Sequence, residues 1–150
     1  MIANDLSERE YQIPGAAGQW TKGKSPPKST PLGPWLVPAS DVDANNLQLK
    51  SWVNGEPRQD SNTADLIFDI PTVILHPSQY MVLEPVDVVL TGTSEGVALS
   101  GRCPYLQDGD NVEMEITGLG RQCQKFFRAG PARTSAGPVA AQTDTTALEA

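Results

Sequence analysis

Hydrophobic and polar positions alternate in two separated stretches of this chain, and each stretch carries its own reversal signal. Leu47, Leu49 and Val53 fall on one face of a two-residue period, with Gln48 and Lys50 on the other. Asn54-Gly55 follows, and both residues tolerate the positive φ of a type I′ turn, so the chain is expected to return as a hairpin through Glu56 to Asp60. Further on, Gln107-Asp108-Gly109-Asp110 predicts a tight turn. Val112, Met114 and Ile116 then alternate with Glu113 and Glu115 as a half-solvated strand, and Gly118-Leu119-Gly120 turns it back into Arg121 to Phe127. Between the hairpins, Asp69 is placed to cap a helix in which Pro71 sits harmlessly in the first turn. Pro77 predicts a break after one or two turns, at Leu75. Val86 to Leu90 is an apolar run that reads as a strand. It ends in Thr91-Gly92-Thr93, where free backbone N–H groups and hydroxyls suit an anionic ligand.

The flanking segments are less periodic. Met1 to Asn4 reads as the end of a strand, as expected of a chain that starts in mid-domain. Ser7 to Glu10 fits a capping box with Ser7 as N-cap. On the short helix that follows, Asp5, Arg9 and Gln12 stand at i, i+4 and i+7 and so share a direction. The same spacing also describes an exposed Asp–Arg pair worth under about 1 kcal/mol. Leu32 to Val37 is a short strand candidate that Pro34 confines to an edge or bends. Asp41 to Asn46 is polar loop. Ala129 to Ala150 is rich in Ala, Gly, Pro, Ser and Thr without a period, so residues 128–150 are expected to be a disordered tail.

Composition narrows the function classes. With 150 residues and 39% hydrophobic content, the chain is one domain with a modest core. A formal charge of −7 without a basic run argues against nucleic acid. Cys103 and Cys123 show no zinc-ligand spacing and are expected to be reduced, partly buried thiols. No run approaches the ~18 apolar residues of a membrane span, and MIANDLSERE is acidic where a secretory signal is basic and then apolar. A cytoplasmic location is expected. Gly18 to Ser25, GQWTKGKS, matches the phosphate-loop pattern GxxxxGK[ST], which raises a remote alternative, a nucleotide binder. The mechanism of that loop requires a strand before it and a helix after it, and Pro26-Pro27 biases the following backbone towards extended geometry.

The order of these signals resembles the fumarylacetoacetate hydrolase family, from about Ile2 to Phe127. The resemblance is carried by NDLSEREYQ at Asn4 to Gln12, QWTKGKS at Gln19 to Ser25, PLGPWLVP at Pro31 to Pro38 and LKSWVNGEPRQDSNTADLIFDI at Leu49 to Ile70. YMVLEP at Tyr80 to Pro85, VVLTGTSEGVALSG at Val88 to Gly101 and YLQDGDNVEMEITGLG at Tyr105 to Gly120 extend it. It implies a mainly β fold with short helices (α+β), a mixed β-sandwich roll that usually forms a homodimer. It also implies a Mg2+ or Mn2+ ion that polarises a β-diketo or related oxo-acid substrate for C–C bond hydrolysis, decarboxylation or isomerisation. The ALSG and YLQDGD segments lean towards the ureidoglycolate lyase-like or diketo-deoxy-sugar-acid hydrolase-like subgroup. Carried over by residue, Asp5 is implied as a metal ligand, Arg9 and Gln12 as catalytic, substrate-contacting groups, Lys24 as the lysine that reaches substrate or metal-bound oxygens, and Thr93 as the hydroxyl that binds a substrate carboxylate.

Departures from the family pattern set further expectations. The family's Glu-x-Glu ligands and the histidine and glutamate of its lid lie upstream of the segment matching Asn4-Asp5, so an N-terminally truncated fold with weak metal binding is expected. A catalytically silent fragment or dimerisation partner is the alternative to an active enzyme. Pro26, Pro27 and Lys28 replace the residues usual after the KS pair, Ser94 replaces a proline, and Val86 replaces a glycine where positive φ is required. The lone histidine, His76, is expected to be structural or exposed.

Overall fold

The computed structural model describes residues 1–13 and 19–128. Its centre is a four-stranded antiparallel sheet in the order β4-β3-β5-β6, formed by β3 (Gln48–Val53), β4 (Glu56–Asn62), β5 (Asn111–Ile116) and β6 (Gly120–Lys125). Both expected hairpins form. Asn54 and Gly55 adopt φ of +52° and +82°, the two positive values a type I′ turn requires. The reversal into β6 runs through Gly118 and Gly120, both also at positive φ. The tight turn before β5 is present too: the Asp110 N–H donates to the Gln107 carbonyl at 3.1 Å, and an Asp110 carboxylate oxygen accepts from the Gln107 N–H at 2.7 Å.

Alternation along β5 sets the core. Val112 and Met114 point inward and are buried with Ile2, Leu47 and Leu119, while Glu115 is exposed on the opposite face. β4 is an edge strand, which is where Pro57 is tolerated. Its pairing with β3 is shifted by a bulge: Ser51 faces Gln59 and Trp52 faces Pro57, so Arg58 is the extra residue. Asn54, at the hairpin tip, donates to Asp110 through its side-chain amide (2.8 Å) and accepts from the Asn111 N–H (2.9 Å), tying the two hairpins together at one end.

β1 (Ile2–Ala3) pairs with β2 (Leu32–Gly33) in a second, two-stranded sheet. It lies against β5 and β6 because Ile2 is buried and its carbonyl accepts from the Gln122 side-chain amide at 2.8 Å. The Asn4 side-chain amide adds a bond to the Gln124 carbonyl oxygen at 2.7 Å. The strand expected over Leu32 to Val37 is reduced to β2, because Pro34 follows at once and bends the chain out of the ladder.

Two expectations between the hairpins are overturned. α3 runs over Ile70–Ser78 with Asp69 as its cap, accepting from the Thr72 N–H at 2.9 Å, and it passes through Pro77 instead of stopping at Leu75. Pro77 falls in the last turn, where it forfeits one backbone bond, and its own carbonyl closes the helix by accepting from the Tyr80 and Met81 N–H groups. Val86 to Leu90 is not a strand. Val86 stands in a turn at φ +75°, the residues after it have no ladder partner among the described residues, and Val86, Val88, Val89 and Leu90 are all exposed. The tail expected to be disordered lies, from residue 129 on, outside the described residues. His76 is exposed on α3, edge-on to the Tyr80 ring with centroids 5.5 Å apart. Cys103 and Cys123 are free thiols, the second exposed and not partly buried as expected. No helix among the described residues is long and apolar enough to cross a membrane.

Candidate functional site

The chain leaves β1 at Asn4 and is held against residues 29–31: the Asn4 N–H donates to the Pro31 carbonyl (3.1 Å) and the Leu6 N–H to the Ser29 carbonyl (2.9 Å). Two single-turn helices then meet, α1 (Arg9–Gln12) and α2 (Thr21–Lys24). Gly23 permits their close approach, because a Cβ there would stand 2.7 Å from the Gln12 Cβ and 2.8 Å from the Glu8 carbonyl. The Glu8 N–H donates to the Gly23 carbonyl at 2.8 Å. This crossing carries Lys24 to Asp5, and their ammonium and carboxylate lie 2.5 Å apart with each side chain about one-third exposed. In that setting the pair contributes under about 1 kcal/mol to stability, so it shapes the site more than it holds the fold.

Arg9 donates to the Gln12 carbonyl oxygen. An arginine has only donors, so this contact fixes the amide orientation and turns the Gln12 Nε2 the other way. Gln12 is 1% exposed, and its Nε2 has no partner among the described residues. A buried N–H donor left unpaired costs about 1–3 kcal/mol and marks a place where an acceptor belongs. The expected cap is corrected here. Glu8, not Ser7, is the N-cap, accepting from the Glu10 N–H at 3.3 Å, while the Ser7 hydroxyl is buried without a partner among the described residues. The docking of Glu8 onto Gly23 sets the helix start one residue later than the sequence signal.

The phosphate-loop alternative is also overturned. A helical turn occupies positions within the motif, Ser25 donates to the Thr21 carbonyl, and Lys24 is engaged by Asp5. Gly18, the first residue of that motif, lies outside the described residues.

Thr93 lies elsewhere, on the segment after Leu90. The Gln59 side-chain amide donates to the Thr93 hydroxyl oxygen at 2.9 Å and to the Ser94 hydroxyl at 3.2 Å. The Ser51 hydroxyl in turn donates to the Gln59 carbonyl oxygen at 3.0 Å. Among the described residues, no hydrogen bond or ion pair joins Thr93 to the Asp5–Lys24 pair. The structure therefore brings Asp5, Lys24, Arg9 and Gln12 into one cluster and leaves Thr93 in a separate group, held to β4 through Gln59. Sequence reasoning misses Gln59, because its role depends on the bulge at Arg58, which no local motif announces. By themselves the described residues do not complete the shell of a hard divalent cation. Such an ion takes about six oxygens, whereas the described residues contain no cluster of three His, Cys, Asp or Glu, and Asp5 is already neutralised by Lys24.

Residues 1–127 match the family model for the fumarylacetoacetate (FAA) hydrolase C-terminal region. The chain belongs to this family. A Burkholderia multivorans relative is 42% identical over 126 residues, which is 82% of this chain and 44% of its own. The fumarylacetoacetate hydrolase fold is likewise seen in the 5-carboxymethyl-2-hydroxymuconate delta-isomerase of Mycobacterium smegmatis, 38% identical with a TM-score of 0.75, over 86% of this chain and 47% of that one. The maleylpyruvate hydrolase of Sphingobium sp. SYK-6, in complex with manganese(II) and pyruvate, is 36% identical with a TM-score of 0.66, over 74% and 40% of the two chains. The chain spans about half the length of the curated relatives it matches. The expected architecture is thereby established, a mainly β fold of this family with few, short helices.

Proposed function

We propose that this chain supplies part of the active centre of a hydrolase or isomerase acting on a small anionic oxo-acid. The observation that carries the reading is the Gln12 Nε2, buried and without a partner among the described residues, beside Arg9 and across the α1–α2 contact from Lys24. Two cationic side chains and a stranded amide donor form a place for a carboxylate or enolate oxygen, since each offers N–H groups and none can accept. In this reading Arg9 and Gln12 bind and orient the substrate, Lys24 compensates negative charge growing on its oxygen, and Thr93 holds a substrate carboxylate from the β4 side. The relatives named above, a hydroxymuconate isomerase and a maleylpyruvate hydrolase, support this substrate class.

Asp5 is proposed as one ligand to Mg2+ or Mn2+. When bound, such an ion would polarise the substrate carbonyl as a Lewis acid. The described residues do not make that centre alone, and further carboxylates would have to complete it. The single carboxylate also favours a second reading, in which the chain is catalytically silent and serves as a partner in an assembly.

Pyruvate titration of the full chain, with and without Mn2+, followed by amide and side-chain NMR, tests the first reading. Shifts at Arg9 and Gln12, with affinity falling at least about tenfold in Lys24→Ala, are expected from loss of a charge-assisted bond. Equal pyruvate affinity in the parent chain, Lys24→Ala and Arg9→Ala would overturn it. Absence of binding in all three would favour the silent reading.

A further inference from the structure

Asn54 is followed by glycine, and none of the other asparagines, Asn4, Asn45, Asn46, Asn62 and Asn111, is. The Asn54-Gly55 pair forms the exposed tip of the β3–β4 hairpin. Glycine leaves its backbone nitrogen unshielded by a Cβ, and at Gly55 the space is open as well. A Cβ built there would meet nothing within 4 Å among the described residues, and the Gly55 N–H makes no backbone–backbone hydrogen bond with them. That nitrogen is therefore accessible as a nucleophile towards the carboxamide carbon of its own neighbour.

The carboxamide is held back by β5. Its Nδ2 donates to an Asp110 carboxylate oxygen at 2.8 Å, and its Oδ1 accepts from the Asn111 N–H at 2.9 Å. Both ends of the amide are thus engaged across the joint between the two hairpins, and its carbon cannot swing back to Gly55 while they last. We infer that Asn54 is a site of spontaneous deamidation, and that its bonds to Asp110 and Asn111 gate the reaction.

In the reaction the Gly55 nitrogen gives up its proton to solvent base and bonds to the Asn54 Cγ. The Cγ–Nδ2 bond breaks, ammonia leaves, and a cyclic imide remains. Water then opens the ring at either carbonyl to give aspartate or isoaspartate, so that one water is consumed for each ammonia released and nothing is oxidised or reduced. Neither product can resume the contact. A carboxylate at position 54 has no N–H for Asp110 and sets like charges against each other. Isoaspartate also lengthens the backbone of a turn whose tightness, with Val53 paired to Glu56, sets the β3–β4 register. A transient opening of the joint is thereby made permanent.

The rate follows from the open population of the tip, which loss of one charge-assisted bond raises at least about tenfold. The test incubates the full chain at mildly alkaline pH and follows every asparagine by peptide mapping with mass spectrometry. Asn54 is expected to convert ahead of the other asparagines, at least about tenfold faster in Asp110→Ala than in the parent chain, and faster still in urea. Asp110→Asn keeps an acceptor for the Asn54 amide without the charge, and its rate should fall between those of the parent and Asp110→Ala. Circular dichroism separates release of the tip from unfolding, and if Asp110→Ala does not fold, Asp110→Asn must by itself exceed the parent rate. Conversion of another asparagine ahead of Asn54, equal Asn54 rates in the parent chain and the folded variants, or a parent rate equal to that in urea would each overturn the inference.

Discussion

Gly96 offers the sharpest test of how the Thr93 segment is held. It adopts φ of +100°, and a Cβ built there would stand 1.9 Å from the Arg58 carbonyl oxygen, on the bulge of β4. Alanine at this position meets two costs. Left-handed backbone geometry costs a residue with a Cβ about 1–2 kcal/mol. Relief of the overlap requires the loop to retreat by roughly 1.5 Å to reach van der Waals distance. That movement breaks the bonds from Gln59 to the Thr93 and Ser94 hydroxyls, now 2.9 and 3.2 Å long. Each is worth about 0.5–1.5 kcal/mol. The expected loss is therefore about 3 kcal/mol, a large share of the stability of a small domain.

Urea unfolding followed by tryptophan fluorescence measures it. With a slope of about 2 kcal/mol per molar, the midpoint should fall by about 1.5 M. Gly92 is the control: its φ is +94°, and among the described residues a Cβ added there would meet nothing within 4 Å. Gly92→Ala should show the backbone cost alone, about half the Gly96→Ala shift. If the two variants unfold at the same urea concentration, the Arg58 contact is not what fixes this loop.

Two further perturbations probe the frame. Val86 sits at φ +75° as the third residue of the turn Glu84-Pro85-Val86-Asp87, closed by the Asp87 N–H donating to the Glu84 carbonyl at 3.1 Å. A turn with proline second and positive φ third wants glycine there, so Val86→Gly should stabilise the chain by about 1 kcal/mol in the same urea assay. The Asp110 carboxyl is held below its ordinary value of 3.8, first by the bond from the Asn54 side chain and then by that from the Gln107 N–H. A depressed carboxyl stabilises the fold above its unfolded pKa, and the contribution vanishes as pH falls through the lowered folded value. The stability gap between the parent chain and Asp110→Ala should therefore be widest near neutrality and shrink in acid. A gap independent of pH would remove the charge from the explanation.

What the sequence disclosed depended on the range of the forces involved. The Asn54-Gly55 turn, the alternation from Val112 to Ile116 and the Asp69 cap are local, set by φ preferences and two-residue periods, and each forms as expected. Pro77 misleads because, this close to the helix end, it forfeits a single backbone bond, and its own carbonyl still closes the helix by accepting from the Tyr80 and Met81 N–H groups. The Glu8 cap depends on docking to Gly23, a contact between separate segments. Of the candidate site, the crossing that joins Asp5 to Lys24 was legible only through the family resemblance. The bond from Gln59 to Thr93 was not legible at all, since it arises from a register shift in a ladder.

The link between Asn54 and the turn at Asp110 has a kinetic consequence. The β3–β4 and β5–β6 hairpins each close over short loops and can form within microseconds, whereas the β3–β5 ladder joins residues separated by all of α3 and the segment after it. Docking of one preformed hairpin onto the other should therefore limit the folding rate. The Asn54 amide, reaching both Asp110 and Asn111, acts as an alignment key for that encounter, because a one-residue slip would turn Met114 out to water.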